Sequence, residues 1–91
     1  MRSYEIIPSL RKILKKLSKR DQTLYEIVLK KIEEIIHSVD VNHYKNLRHN
    51  MKEMKRVHVG SFVLVFKYMH DENKMVFIDF DHHDKIYKFP E

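Results

Sequence analysis

The chain has 91 residues and no cysteine. Its length allows one domain but neither a second domain nor a deep cavity. The lack of cysteine excludes a disulfide framework and a thiolate metal cluster. Its longest apolar run, Phe62–Phe66, is too short to cross a membrane. The formal charge of +5 favours an acidic partner such as a nucleic acid, an anionic surface or an acidic protein. We therefore expect one domain over residues 1–91, located in the cytoplasm and not in a membrane.

The first half of the chain predicts a strand followed by two helices. Ser3–Ile7 is short and apolar enough for a strand. Apolar residues then recur at helical spacing over Leu10–Leu17 and again over Leu24–Val39. Ser18, with Asp21 three residues later, has the spacing of a capping box and marks the start of the second helix. These patterns predict a helical hairpin whose first helix has a basic outer face.

The second half predicts three strands, Arg56–Val59, Phe62–Met69 and Met75–Phe80. Gly60–Ser61 and Asp71–Asn73 supply the turns between them. The second of these strands is apolar on both faces over much of its length, which predicts a place in the interior of the sheet. The predicted fold class is α+β, with a strand, a two-helix hairpin and three antiparallel strands. The hairpin covers one face of the small sheet, and the other face is free to carry chemistry.

The stretch from His43 to Val59 combines basic residues with histidines. Its cations are Lys45, Arg48, Lys52, Lys55 and Arg56. Because side chains alternate along a strand, Arg56 and His58 share one face while the neighbouring valines share the other. The pattern predicts a polar working surface on the sheet. A solvated basic edge is the plainer alternative, and composition does not separate the two.

The segment FDHHDKIY, Phe80–Tyr87, follows the last predicted strand. Its two histidines and two aspartates are suitable metal ligands, but four consecutive residues do not converge easily on one tetrahedral ion. A histidine acting as general acid or base is chemically easier. A polar surface turn is the third interpretation. Tyr87 is either a core or rim aromatic or a platform on which a base stacks.

The order of these segments resembles the RelE superfamily of toxins, which are ribosome-dependent messenger-RNA endonucleases of toxin–antitoxin pairs. The resemblance rests on SLRKILKKLSKRDQTLYEIVLKKIEEI for the hairpin, KNLRHNMKEMKRVHVGSFVLVFKY for the loop and two strands, and VFIDFDHHDKIY for the last strand and tail. Within the superfamily the chain is most similar to the YafQ branch. That branch has a His-Val pair, here His58-Val59, and a late histidine followed by an aromatic, here His83 and Tyr87.

The resemblance implies a mechanism without metal or cofactor, in which the ribose 2′-OH attacks the adjacent phosphate. His83 would serve as either general acid or general base, with His58 in the complementary role, and Arg56 would stabilise the charge on the phosphate. Tyr87 would stack on or orient a base of the messenger. Further RNA or phosphate contacts would come from Lys45, Arg48, Lys52, Lys55 and His82. The residues expected to dock onto ribosomal RNA are Arg11, Lys12, Lys15 and Lys16. The expected partners are a cognate antitoxin and the ribosome.

Two departures from the RelE pattern keep other functions open. Val63 stands where many members have an arginine, and Asp79, Asp81 and Asp84 place negative charge beside the expected site. Those aspartates would either orient the histidines and raise their pKa or mark an inactive relative. One alternative is a ParE-like toxin that is not a nuclease and acts on a target such as DNA gyrase. The other is a catalytically degenerate relative that only binds its antitoxin or RNA.

Overall fold

The structure is a computed structural model that describes residues 2–47 and 54–87. The elements in chain order are β1 (Ser3–Ile6), α1 (Pro8–Arg20), α2 (Gln22–Ile36), β2 (Met54–Val59), β3 (Phe62–Met69), β4 (Lys74–His82) and α3 (His83–Ile86). Single 3-10 turns lie at Val41–His43 and His70–Glu72. This order confirms the predicted α+β class, and the short helix α3 is an addition to it. In the described part of the chain, no helix is long and apolar enough to span a membrane.

The two long helices begin where local chemistry allows a helix to start. Pro8 occupies the first turn of α1, where its missing N–H costs nothing. Asp21 is the N-cap of α2, because its carboxylate accepts a hydrogen bond from the Leu24 N–H at 3.1 Å. The predicted capping role of Ser18 was wrong: Ser18 lies inside α1, and its hydroxyl donates to the Lys15 carbonyl at 2.6 Å.

Helix α2 ends earlier than its sequence pattern predicts. The last helical residue is Ile36, three residues before the predicted end at Val39. Val39 is 97% exposed, so it adds nothing to the core. The guanidinium of Arg2 donates to the Ile36 and Ser38 carbonyls just beyond the helix end. This side chain satisfies the Ile36 carbonyl, which the helix itself leaves without a partner.

The four strands form one sheet in the order β1-β4-β3-β2, with β1 parallel to β4 and the other pairs antiparallel. Strand β3 is interior, as its apolar pattern predicts. Leu64 and Phe66 pack with the helices in the core on one face. Val63 and Val65 face the opposite side and are also buried, at 0% and 3% exposure. The second face is therefore not wholly free, because α3 lies against β3 and β4 there.

Candidate functional site

Four side chains meet on the sheet face opposite the long helices. The rings of His58 and His83 stack with centroids 5.5 Å apart and planes 26° apart. The His83 ring lies 4.7 Å from the ring of Tyr87. Arg56 Nη1 is 3.4 Å from His58 Nδ1, and Arg56 Cζ is 5.9 Å from the Tyr87 ring centroid. We call Arg56, His58, His83 and Tyr87 the histidine cluster. All four residues predicted to be catalytic thus lie together, and their roles stay a prediction.

The cluster is assembled from one strand and one short helix. Arg56 and His58 are two residues apart on β2, so their side chains share a face. Tyr87 is the C-cap of α3 and lies four residues after His83, and its N–H donates to the His83 carbonyl at 3.2 Å, so the two side chains lie on one side of the helix. The His83 N–H donates to the Ser61 carbonyl at 2.8 Å. This bond ties the start of α3 to the β2–β3 turn and so brings His83 over β2.

His82 is not part of the histidine cluster. It pairs with Phe62 at the end of β4, and its ring lies edge-on to the Phe62 ring at 5.6 Å. Its Nδ1 accepts a hydrogen bond from the Asp84 N–H at 3.3 Å, which caps α3. His82 is the last residue of β4 and His83 is the first residue of α3, so different elements hold the two histidines. The structure therefore gives His82 a capping position rather than the expected phosphate-contacting one.

The surroundings of His58 favour its neutral form. Desolvation lowers the pKa of His58 below the ordinary value of 6.5, and the positive charges of Arg56, His83 and Lys45 lower it further. A neutral imidazole can accept a proton at neutral pH. The electrostatics of the site therefore suit His58 to the role of a base.

Lys45 lies beside the cluster. It lines a shallow cleft of about 340 Å³ together with His43, Arg56 and His58. Its carbonyl accepts a hydrogen bond from the Arg56 N–H at 3.0 Å, so the backbone at Lys45 runs along the outer edge of β2. The Lys45 side chain is exposed, and its positive charge contributes to lowering the pKa of His58.

Lys55 lies apart from the other predicted phosphate-contacting residues. It is on the helix-facing side of β2, opposite Phe66 on β3, and is only 9% exposed. Its Nζ donates to Asn46 Oδ1 at 2.9 Å. The expected phosphate contact of Lys55 therefore does not match its position. Arg48 and Lys52, which were assigned the same role, lie outside the described residues.

The predicted docking residues on α1 divide into two groups. Lys12, Lys15 and Lys16 are exposed and line a shallow groove of about 260 Å³ together with Lys19. Arg11 differs, because its Nε donates to the Ile6 carbonyl at 3.0 Å. Lys19 was missed from the sequence, although its spacing of three and four residues from Lys16 and Lys15 places it on the same face. Since α1 packs on the core side of the sheet, this face lies away from the histidine cluster.

The aspartates near the cluster do not form a metal site. Asp79 and Asp81 each accept a hydrogen bond from the N–H of the next residue, at 2.8 and 2.7 Å. Asp84 Oδ1 approaches His83 Nδ1 at 3.6 Å, but the Asp84 side chain is 86% exposed. Within residues 2–47 and 54–87, no three histidines or carboxylates are grouped so that they could hold an ion.

The sequence and fold match known toxins. The family described as "ParE toxin of type II toxin-antitoxin system, parDE" matches residues 5–87. The chain belongs to the RelE/ParE superfamily of type II toxins. A Methanocaldococcus jannaschii protein named "Putative toxin RelE4" is 54% identical over 89 residues, which cover 97% of this chain and 93% of that protein. An uncharacterized protein of Methanosarcina mazei is 42% identical over 73 residues, which cover 79% and 83% of the two chains.

Solved structures of RelE toxins share the fold. The isolated Escherichia coli RelE toxin superposes with a TM-score of 0.74 at 17% identity, covering 90% of this chain and 84% of that one. A metal-bound toxin from Helicobacter pylori superposes with a TM-score of 0.72 at 22% identity, covering 96% of this chain and 100% of that one. The intact E. coli RelBE toxin–antitoxin complex matches with a TM-score of 0.74 at 18% identity, covering 90% and 96%. At such identities these matches establish the fold.

Proposed function

We propose that this RelE/ParE toxin is a ribosome-dependent endoribonuclease that inhibits translation by cutting messenger RNA at the histidine cluster. The stacking of His58 on His83 beside Arg56 is the observation that carries the proposal. Cleavage by an internal 2′-OH requires a base, an acid and a cation that stabilises the charge on the phosphate, and two imidazoles and a guanidinium can fill these roles. An inhibitor that acts only by binding has no need for two stacked imidazoles.

The reaction assigns each group one task. His58, held neutral, takes the proton of the ribose 2′-OH as the 2′-oxygen forms its bond to phosphorus. The bond from phosphorus to the 5′-oxygen then breaks, leaving a 2′,3′-cyclic phosphate. Protonated His83 gives its proton to the departing 5′-oxygen. Arg56 stabilises the negative charge that gathers on the phosphoryl oxygens, and the Tyr87 ring offers a surface on which a base of the messenger stacks.

The proposed partners follow from charge and from the RelE relatives. The exposed lysines of α1, which carries no acidic residue, would contact ribosomal RNA through its phosphates. An antitoxin with an acidic segment would cover the basic surfaces and keep the toxin inactive. The complex of RelE with its antitoxin in the matching structure supports this partner class.

A ParE-like activity without RNA cleavage is the second candidate. The description of the matching family names ParE. Val63, which stands where many RelE members have an arginine, is also relevant. It is fully buried, and its apolar side chain offers no phosphate contact. In the nuclease proposal Arg56 alone takes the place of that arginine. In the ParE-like alternative the site needs no phosphate clamp.

Cleavage of a defined messenger in a purified translation system tests the proposal. We expect ribosome-dependent cuts with the wild type and their loss in folded His58→Ala and His83→Ala variants. His70→Ala is the matched control, since His70 is exposed and lies in a turn away from the cluster. A messenger with a 2′-deoxyribose at the cut position should resist cleavage. Absence of cuts by a folded wild type, together with inhibition of gyrase, would move the assignment to the ParE-like class.

A further inference from the structure

Lys55 occupies an unusual position for a lysine. It is the buried charged residue of the described chain, with 9% exposure, and its partner is the neutral amide oxygen of Asn46 at 2.9 Å. Burying an ammonium group costs free energy, and an apolar side chain such as methionine would fill the same space without that cost. What an apolar side chain could not supply at this position is the hydrogen bond to Asn46.

The bond joins β2 to the short segment 45–47. Asn46 and Lys55 also form an antiparallel backbone bridge. On either side of this bridge, the Arg56 N–H donates to the Lys45 carbonyl at 3.0 Å and the Leu47 N–H donates to the Met54 carbonyl at 2.8 Å. The segment thus runs as a short extra strand along the outer edge of β2, with one side-chain bond fixing its position.

The side-chain bond selects the register of this extra strand. With Asn46 turned inward to meet Lys55, alternation turns Lys45 outward, onto the face that carries Arg56 and His58. A slip of one residue would place Lys45 on the core side and Asn46 beside the cluster. Backbone hydrogen bonds alone do not distinguish these registers, because every residue offers the same N–H and C=O groups.

We propose that Lys55 is a positioning residue, which holds Asn46 inward and thereby places the Lys45 ammonium against the histidine cluster. This inference rests on the proposed function for its biological meaning. Lys55 itself touches no substrate. In the proposed function, the Lys45 ammonium contacts the phosphate of the RNA. The Lys55–Asn46 hydrogen bond sets the position of Lys45 and so determines whether that contact forms.

The test is an NMR pH titration of the His58 ring in the isolated toxin, which does not depend on cleavage. Lys45 is one of three cations that lower the pKa of His58, and the other two, Arg56 and His83, remain in each variant. We expect Lys45→Met and Lys55→Met each to raise the pKa of His58 towards its ordinary value. Lys30→Met, which removes an exposed charge from α2, should leave it unchanged.

The double variant separates positioning from a direct charge effect. If Lys55 acts through Lys45, the variant with both substitutions titrates like Lys45→Met alone. Any of three results overturns the proposal. The first is a larger pKa shift of His58 in the double variant than in Lys45→Met. The others are a wild-type pKa of His58 in Lys55→Met or in Lys45→Met. If Lys55→Met fails to fold, Asn46→Ala breaks the same bond from the other side. Hydrogen exchange of the Arg56 amide, which donates to Lys45, then reports whether the segment has detached.

Rescue and activity provide separate readouts. Asn46→Asp keeps an acceptor for the Lys55 ammonium, so the Arg56 amide, which donates to the Lys45 carbonyl, should stay as protected from hydrogen exchange as in the wild type, whereas Asn46→Ala should lower its protection. In the cleavage assay, Lys55→Met and Lys45→Met should both raise KM. A wild type that cuts no messenger would refute the proposed function and leave the titration results standing.

Discussion

The hydroxyl of Tyr87 offers a sharp test of the site. This oxygen is buried and has no hydrogen-bond partner among the residues that the structure describes. A buried polar group without a partner costs roughly 1–3 kcal/mol. Tyr87→Phe removes the hydroxyl and keeps the ring against His83, so we expect it to stabilise the protein by about 1 kcal/mol. For a domain of this size, that corresponds to a rise in Tm of about 5 °C.

Tyr68→Phe is the matched control. The Tyr68 hydroxyl donates to Asn73 Oδ1 at 2.7 Å, so its removal should cost about 0.5–1.5 kcal/mol. Thermal and urea unfolding of both variants should therefore give shifts of opposite sign. A Tyr87→Phe protein that is less stable than the wild type would refute the argument that the hydroxyl lacks a partner. In the cleavage assay, a role limited to stacking predicts that Tyr87→Phe stays active and Tyr87→Ala does not.

Three further outcomes are expected. The pKa of His58 is lower in the folded protein than in the unfolded chain, so the unfolded chain binds more protons. The free energy of unfolding should therefore fall as pH drops below about 6.5. In urea titrations across this pH range, His58→Gln should weaken that dependence. Asp21→Ala should cost about 1 kcal/mol of unfolding free energy by loss of the α2 cap, whereas Ser18→Ala should be almost neutral; equal costs would contradict the assigned cap. Arg56→Lys keeps the charge but loses the planar fork, so kcat should fall without a loss of stability.

Much of the fold follows from side-chain periodicity. Apolar residues at helical spacing and alternating residues in strands gave the right elements, because each pattern reflects one face packed against the core. The errors lie where several local bonds compete. Ser18 has the spacing of a cap, but a serine hydroxyl can equally donate to a carbonyl of its own helix. Helix α3 has four residues, too few for a periodic signal.

The residues of the candidate site were assigned in the sequence from residue type and from the resemblance to RelE toxins, and the contacts between them were not predicted. Alternation along β2 already placed Arg56 and His58 on one face. The same rule places Lys55 on the opposite face, although its positive charge suggested a position beside the other phosphate-contacting residues. His82 and His83 are the same residue type at adjacent positions, so residue type alone does not distinguish their roles. Their separation into a cap and a cluster member depends on where β4 ends and α3 begins.

The sequence by itself determined the class of fold, the interior place of β3 and the amphipathic helices, since these depend on neighbours within a few residues. Only the tertiary structure decided that His83 stacks on His58, because that contact depends on the register of β2, β3 and β4 and on the bond from His83 to the Ser61 carbonyl. The inward turn of Lys55 towards Asn46 was decided in the same way. Strand register joins residues that are distant in sequence, and no local pattern of residue types encodes which of them will meet.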